Sequence, residues 1–267
     1  EEQMQEAPVK VLLVGVDIGQ EADFEHSMEE LASLAEAAEK EVVGQIVQRL
    51  DHVNKALYIG TGKVDEVRRL AEERGAQEVV FDNSLTPSQV RNLGKELELT
   101  VIDRTNLILD IFAIRAQTRE SKLQVETARL QYMLPRLVGM YDALSRQGGA
   151  SGSMSNKGTG EKKLELDRRK IEHRITELKK ELEDVSRTRD VQRRKRQQSR
   201  TPQVALVGYT NAGKSTILNR MVEQFGELPE KTVMEKDMLF ATLETSVRSI
   251  DTVSYTHLRA HETSLHL

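Results

Sequence analysis

One short stretch, Gly208-Tyr-Thr-Asn-Ala-Gly213-Lys214-Ser215, carries residue types and spacing suited to gripping a polyphosphate and its magnesium ion. It meets the rule Gly-x-x-x-x-Gly-Lys-Ser. Gly208 and Gly213 permit the turn and let backbone approach the ligand closely. The amides from Asn211 to Ser215 are expected to face inward and cradle phosphate oxygens at a helix N-terminus. Lys214 reaches the β and γ phosphates, and the Ser215 hydroxyl ligates magnesium. Tyr209, Thr210, Ala212 and Thr216 complete the stretch read as nucleotide-binding.

Such a loop works only between a strand and a helix. "QVALVG" before it predicts the strand, and "TILNRMVEQF" after it predicts the helix. Only 51 residues follow Thr216, whereas a nucleotide-hydrolysing domain takes about 150 or more. The chain as written is therefore expected to hold nucleotide without turning it over. Residues 201–267 are expected to be loosely folded or aggregation-prone, with open strand edges, an uncovered apolar face on Ile217 to Phe225 and the final 16 residues disordered.

A second glycine-lysine pair, "YIGTGK" (Tyr58 to Lys63), lacks the six-residue spacing from first glycine to lysine and reads as a tight strand-to-helix turn. Around it, residues 1–116 alternate strand-like and helix-like segments. The strands are "VKVLLVGV", "EVVGQIVQ", "ALYIGTGK" with its turn, "QEVVFDN" and "LTVIDR". Helical periodicity covers Phe24 to Glu39, Val64 to Arg74, and a segment with Thr86 as N-cap and Pro87 at the first helical position. The alternation predicts a small α/β domain with a largely parallel sheet.

Residues 117–200 change character. Leu123, Leu130, Leu134, Leu137, Tyr141 and Leu144 follow heptad spacing, as do Leu164, Ile171, Ile175, Leu178, Leu182 and Val185. Two such helices joined by one loop predict an antiparallel coiled-coil hairpin, kinked at Pro135. The joining loop, Gly148 to Gly160, contains five glycines and no large apolar residue. Arg146, Lys157, Lys162, Lys163, Arg168, Arg169 and Lys170 lie in or beside it. The composition suits either contact with RNA phosphates or a slack linker between helical arms. The run "RTRDVQRRKRQQSRTP" reads either as a basic helix end and linker or as a second phosphate-contacting patch.

Composition narrows the classes. The 267 residues suggest about two domains. No apolar run is long enough for a membrane span, and no signal-peptide pattern opens the chain. The absence of cysteine excludes disulfides and cysteine-ligated zinc and fits a cytoplasmic protein. Net charge is −4, but residues 1–100 hold 21 acidic and 10 basic side chains, whereas residues 161–200 hold 9 acidic and 15 basic. That asymmetry suits a polyanionic partner for the later segment, or a solvated helix rich in ion pairs.

"VALVGYTNAGKSTILNR" followed by "EKDMLFATLETSVRSI" resembles the start of the GTPase domain of the HflX family of translational GTPases. "ALYIGTGKVDEV", "VIDRTNLILDIFAIRAQTRESKLQVETARLQYMLPRL" and "RQGGASGSMSNKGTGEKKLELDRRKI" resemble that family's N-terminal region, so the resemblance covers nearly all of residues 9–251. It implies an α/β subdomain over 1–116, a helical hairpin over 117–200 with its tip at 148–160, and the beginning of a P-loop GTPase domain over 201–251. It also implies a GTPase using GTP and Mg2+ that binds the large ribosomal subunit and splits stalled or stressed ribosomes, its hairpin tip meeting ribosomal RNA. Thr242, in "LFATLE", matches the switch-I threonine that closes over magnesium. Asn211 sits where potassium-dependent relatives carry an asparagine that helps hold K+. The protein is expected to act as a monomer.

The pattern stops near Asp251. Val253 to Thr263 of the tail "TVSYTHLRAHETSLHL" resembles a sequencing adapter translated in frame, so residues 252–267 are expected to be an assembly artefact. Guanine specificity rests on resemblance alone. The competing readings are an RNA-binding coiled-coil module with an incidental phosphate loop, and a P-loop ATPase.

Overall fold

The stretch VKVLLVGVD is apolar at successive rather than alternate positions, as a strand covered on both faces must be. In a computed structural model, which describes residues 7–19, 23–147, 157–198, 204–208, 212–225, 239–240 and 247, it forms β1 (Val9–Asp17). Val11, Leu12, Leu13 and Val14 are fully buried. There follow α1 (Phe24–Ala37), β2 (Lys40–Arg49), α2 (Thr61–Arg74), β3 (Glu78–Phe81), α3 (Pro87–Leu97), β4 (Thr100–Asp103) and α4 (Arg104–Arg115). The four strands are parallel in the order β2-β1-β3-β4. Right-handed crossovers then put α1 on one face and α2 and α3 on the other.

Two apolar clusters record that layering. Leu12, Val14 and Val16 of β1 point into one with Val64 and Val67 of α2 and Leu93 and Leu97 of α3. Val11 and Leu13 point the other way, onto Met28, Leu31 and Leu34 of α1 and Leu107 and Ile111 of α4. Each fully buried leucine of this kind contributes about 1.5–3 kcal/mol over an exposed one. Gly15 belongs to the close packing, because a Cβ there would stand 2.3 Å from the Met28 sulfur and 2.7 Å from the Phe24 ring.

Local signals explain most boundaries. Thr86 caps α3 by accepting from the Gln89 amide, and Gln89 completes a capping box, with Pro87 opening the helix. Asp103 caps α4 by accepting from the Asn106 amide at 3.0 Å. The strand expected over "ALYIGTGK" is corrected. Asn54 Oδ1 accepts from the Ala56 amide at 2.8 Å and the Leu57 amide at 3.1 Å, folding a side-chain turn closed by an isolated Asn54–Tyr58 bridge. Tyr58 sits at φ 66, Gly60 caps α2, and the helix begins at Thr61.

α5 (Arg119–Gln147) and α6 (Lys157–Gln198) form the hairpin. Arg119 pairs with Glu181 at 3.0 Å, and Glu126 with Arg174 at 2.8 Å, so position numbers rise on one helix as they fall on the other, which makes the pair antiparallel. Ile175 and Leu178 are buried on the heptad seam of α6, and Ile171, Leu182 and Val185 are half-buried. On α5, Leu123 is buried on the seam, but Ser121, Val125 and Thr127 are buried off it. α5 also packs on α3 and α4, which adds a second partner to the one its heptads encode. The helix runs through Pro135 without ending.

Candidate functional site

α7 (Lys214–Phe225) opens at the residue the phosphate-loop pattern requires. Gly213 precedes it at φ +73, a left-handed conformation that L side chains resist. The Ile217 amide donates to the Gly213 carbonyl at 3.0 Å and closes the first turn. Gly208 lies inside the curl, where a Cβ would sit 3.6 Å from the Ala212 Cβ and 3.7 Å from both Cγ and Cδ of Lys214. The stem of Lys214 thus folds back over Gly208, and Lys214 and Ser215 are half-buried while Thr216 is exposed. This brings Gly208, Ala212, Gly213, Lys214, Ser215 and Thr216 together. Tyr209, Thr210, Asn211 and Thr242 lie outside the described residues.

The strand expected at "QVALVG" is corrected over its described part. Residues 204–208 form no strand and pair with none among the described residues, and Val204 and Val207 are 85% and 90% exposed. A strand needs ladder partners, and the described sheet ends at β2 on one side and β4 on the other. On α7, Val222 and Asn219 are buried while Ile217 is half exposed.

At the hairpin, Arg146, Lys157, Lys162 and Lys163 lie in helical backbone, with side chains outside those described. The loop boundary is corrected: Lys157–Gly160, read as loop, belong to the first turn of α6. Glycine propensity is a weak prior that a long adjoining helix overrides. Arg168 donates to Glu172 at 2.9 Å and Arg169 to Glu165 at 3.0 Å, both one turn away on the same helix. The Glu172 hydrogen bond and charge raise the Arg168 pKa above its usual value.

Two polar clusters at the carboxyl end of the sheet were not legible in the sequence. Asp103, 1% exposed, accepts from the Leu85 amide at 3.3 Å, from the Tyr132 hydroxyl, and from Arg136 at 2.8 Å. Burial first, then the hydrogen bond to Asp103, raises the Tyr132 pKa. This cluster fastens α5 to the end of β4. Beside it, Asp82 at the end of β3 accepts from Ser27 at 2.7 Å and from Arg104 at 2.7 Å, and Arg104 also pairs with Glu30. Burial lowers the Arg104 pKa, but hydrogen bonds and charges from Asp82 and Glu30 outweigh it, and the net shift is upward. Only the N-cap role of an aspartate before a helix could have flagged Asp103, and α4 itself has no clear period.

A third contact joins the phosphate-loop segment to the α/β unit. Phe240 meets Phe112 of α4 edge to face, ring centroids 5.1 Å apart, and Leu239 and Phe240 pack on the cluster around Leu107 and Ile111. Among the described residues, no helix is long and apolar enough to cross a membrane.

Comparison with known proteins agrees with this geometry. The chain matches three protein-family models, described as GTP-binding GTPase N-terminal over residues 25–113, GTP-binding GTPase Middle Region over 115–196 and 50S ribosome-binding GTPase over 203–264. The last runs past Asp251, where the sequence reading ended the resemblance. An α/β unit, a helical hairpin and a phosphate loop, in that order, define a phosphate-loop nucleotide-binding protein. The chain is 49% identical over 241 residues to "GTPase HflX" of Alkalihalophilus pseudofirmus, covering 90% of this chain and 55% of that protein. It is 41% identical over 246 residues to "GTPase HflX" of Escherichia coli, covering 92% of this chain and 55% of that protein. The chain belongs to the HflX GTPase family. It spans about half the length of the curated relatives it matches. The crystal structure of SsGBP and GDP complex is similar in fold, with TM-score 0.50 and 24% identity over 80% of this chain and 56% of that one.

Proposed function

We propose that this chain is part of a GTPase that binds the large ribosomal subunit and, using GTP, separates stalled or stressed ribosomes. The observation that carries the reading is the curl of Gly208 over Lys214, with Gly213 at φ +73 opening α7. That conformation ends the loop in the first turn of α7, and a helix N-terminus with its dipole is the setting an anion site requires. The match to a 50S ribosome-binding GTPase over residues 203–264 supports the partner.

In this reading the amides from Asn211 to Ser215 bind phosphate oxygens, and Lys214 neutralises the β and γ phosphates. The Ser215 hydroxyl, joined by Thr242, holds Mg2+, and Asn211 helps hold K+. A bound magnesium ion supplies charge neutralisation at the phosphates. Arg146, Lys157, Lys162, Lys163, Arg168 and Arg169 form an RNA-contacting surface at and below the hairpin tip. The intrahelical pairs of Arg168 and Arg169 are exposed and screened by water, so phosphates can replace the glutamates at little cost. We place residues 1–116, 117–200 and 201–251 in three successive parts and the working protein in the cytoplasm as a monomer.

Cosedimentation with large ribosomal subunits tests the reading. The chain is expected to pellet with subunits, more so with a non-hydrolysable GTP analogue than with GDP, and Lys214→Ala is expected to erase the nucleotide dependence. Equal pelleting in all conditions would count against a nucleotide-controlled partner. Displacement of bound GTP by ATP at matched concentration would favour the ATPase alternative.

A further inference from the structure

Over its described part, Arg187 to Gln198, the basic run is helix and belongs to α6. As helix, the run acquires a direction. Counting 100° per residue, the side of α6 opposite buried Leu178 carries Lys180, Arg187 and Arg194, seven residues and two turns apart. All three are exposed. Arg187 has a loose pair with exposed Asp184 at 3.6 Å, and Lys180 and Arg194 have no ion-pair partner among the described residues. From Ser186 to Gln198 the sequence holds six cations and one acid.

We propose that this outward stripe is a second RNA-docking surface, on which Lys180, Arg187 and Arg194 contact phosphates of an RNA double helix. It rests on the reading that the protein meets ribosomal RNA. The stripe is separate from the tip: Arg194 lies about 55 Å along α6 from Lys157, at 1.5 Å per residue. One partner touching both must be an extended polyanion, as a large folded RNA is.

Simpler roles for these cations fail on position. Complementing the helix dipole is effective only within the last turn; Arg194 lies about one turn from Gln198, but Arg187 and Lys180 lie about three and five turns from it. Covering ion pairs is the role of Arg189, which turns inward to Glu120 at 2.8 Å, not of the stripe. A membrane surface needs an apolar side free to insert, and the apolar side of α6, Ile175 and Leu178, is buried. The class of RNA follows from what α6 lacks. It has no Phe, Tyr or Trp, its one histidine, His173, pairs with Glu177, and Lys180, Arg187 and Arg194 are cations spaced along one line, so its contacts are to backbone phosphates, which suits a duplex rather than a single strand.

The test is binding of the full chain to a fluorescein-labelled RNA stem-loop and to an unstructured oligouridylate, followed by anisotropy across a salt series. The stripe variant carries Lys180→Gln, Arg187→Gln and Arg194→Gln. A charge-matched control carries Lys55→Gln, Arg69→Gln and Arg74→Gln, exposed on the α/β unit. Glutamine keeps helix propensity, and circular dichroism verifies that α6 persists. The stripe variant is expected to bind the stem about tenfold or more weakly, with the log–log salt slope reduced by about 2–3, whereas the control keeps the parent slope. An unchanged slope in the stripe variant, or an equal loss in the control, overturns the proposal. So does a parent chain that binds neither RNA, or one that binds oligouridylate as tightly as the stem. Failure of the stripe alongside nucleotide-dependent pelleting with subunits leaves the ribosomal reading standing. A parent chain that binds the stem but does not pellet with subunits, with the slope still reduced in the stripe variant, supports the stripe and removes the ribosome.

Discussion

The α/β unit and the phosphate-loop segment solve opposite problems. In the first, apolar side chains close both faces of the sheet, and buried Asp103 and Asp82 each meet several donors. In the second, Val204 and Val207 are almost fully exposed, yet Gly208, Gly213 and Lys214 already hold the curl of a phosphate loop. A packed core is a collective property that needs distant segments. A phosphate loop is a local property of about eight residues, set by glycine conformations and one helix start.

The comparison predicts which changes unfold the chain and which only silence it. Asp103→Ala is expected to have the largest effect. It leaves the Arg136 cation and the Tyr132 hydroxyl facing an empty acceptor in a buried site, at about 3–5 kcal/mol, measurable as a lower urea midpoint. Lys214→Ala should do the reverse, weakening nucleotide binding by about 2 kcal/mol through the lost charged contacts. Its unfolding midpoint should stay within about 0.5 kcal/mol of the parent. Loss of stability in Lys214→Ala would break the comparison, because the loop would then be part of the core.

Phe112→Ala probes the place where the two regions meet. Losing the edge-to-face contact should cost about 0.5–1.5 kcal/mol beyond the lost area. Amide exchange at Leu239 and Phe240 should accelerate while β1 stays protected; unchanged exchange there would uncouple the regions.

The smallest effect concerns Asp110, whose pKa is raised, first by burial, against opposing charges from Arg129 and Lys40. A carboxyl with a folded pKa above its unfolded one favours folding while protonated. That contribution is fully present below the unfolded pKa, about 3.9, and is lost as pH rises through the folded value. The stability of the parent relative to Asp110→Asn should therefore decline as pH rises through that window. A difference that grows with pH would show the Arg129 pair, 3.0 Å away, to be the dominant interaction.

Several of these elements were legible because their signals are local. Gly208, Gly213 and Lys214 announce the curl, Thr86 and Pro87 the start of α3, and Ile171 to Val185 the buried side of α6. The helix α4 was not legible. Leu107 and Ile111 face the sheet, Phe112 faces Phe240, and Leu109 is buried as well, so the apolar residues of "LILDIF" spread over more than one face and carry no 3.6-residue period. "ALYIG" read as a strand because its apolar content outweighed one residue, Asn54, whose side chain captures two amides and turns the chain instead.

By itself, then, the sequence determined the alternating α/β order, the heptad seams, the spacing of the phosphate loop and the positions of its charges, each written in residues a few places apart. The tertiary structure alone decided which helix faces are spoken for. It joined Asp103 to Tyr132 and Arg136, Asp82 to Ser27 and Arg104, and Phe112 to Phe240, pairs separated by 22 to 128 positions in the chain. It also turned Lys180, Arg187 and Arg194 outward by burying Leu178. The reason is physical: helix and turn preferences act over one or two turns, whereas burial and ion pairing depend on which distant segment arrives to exclude water.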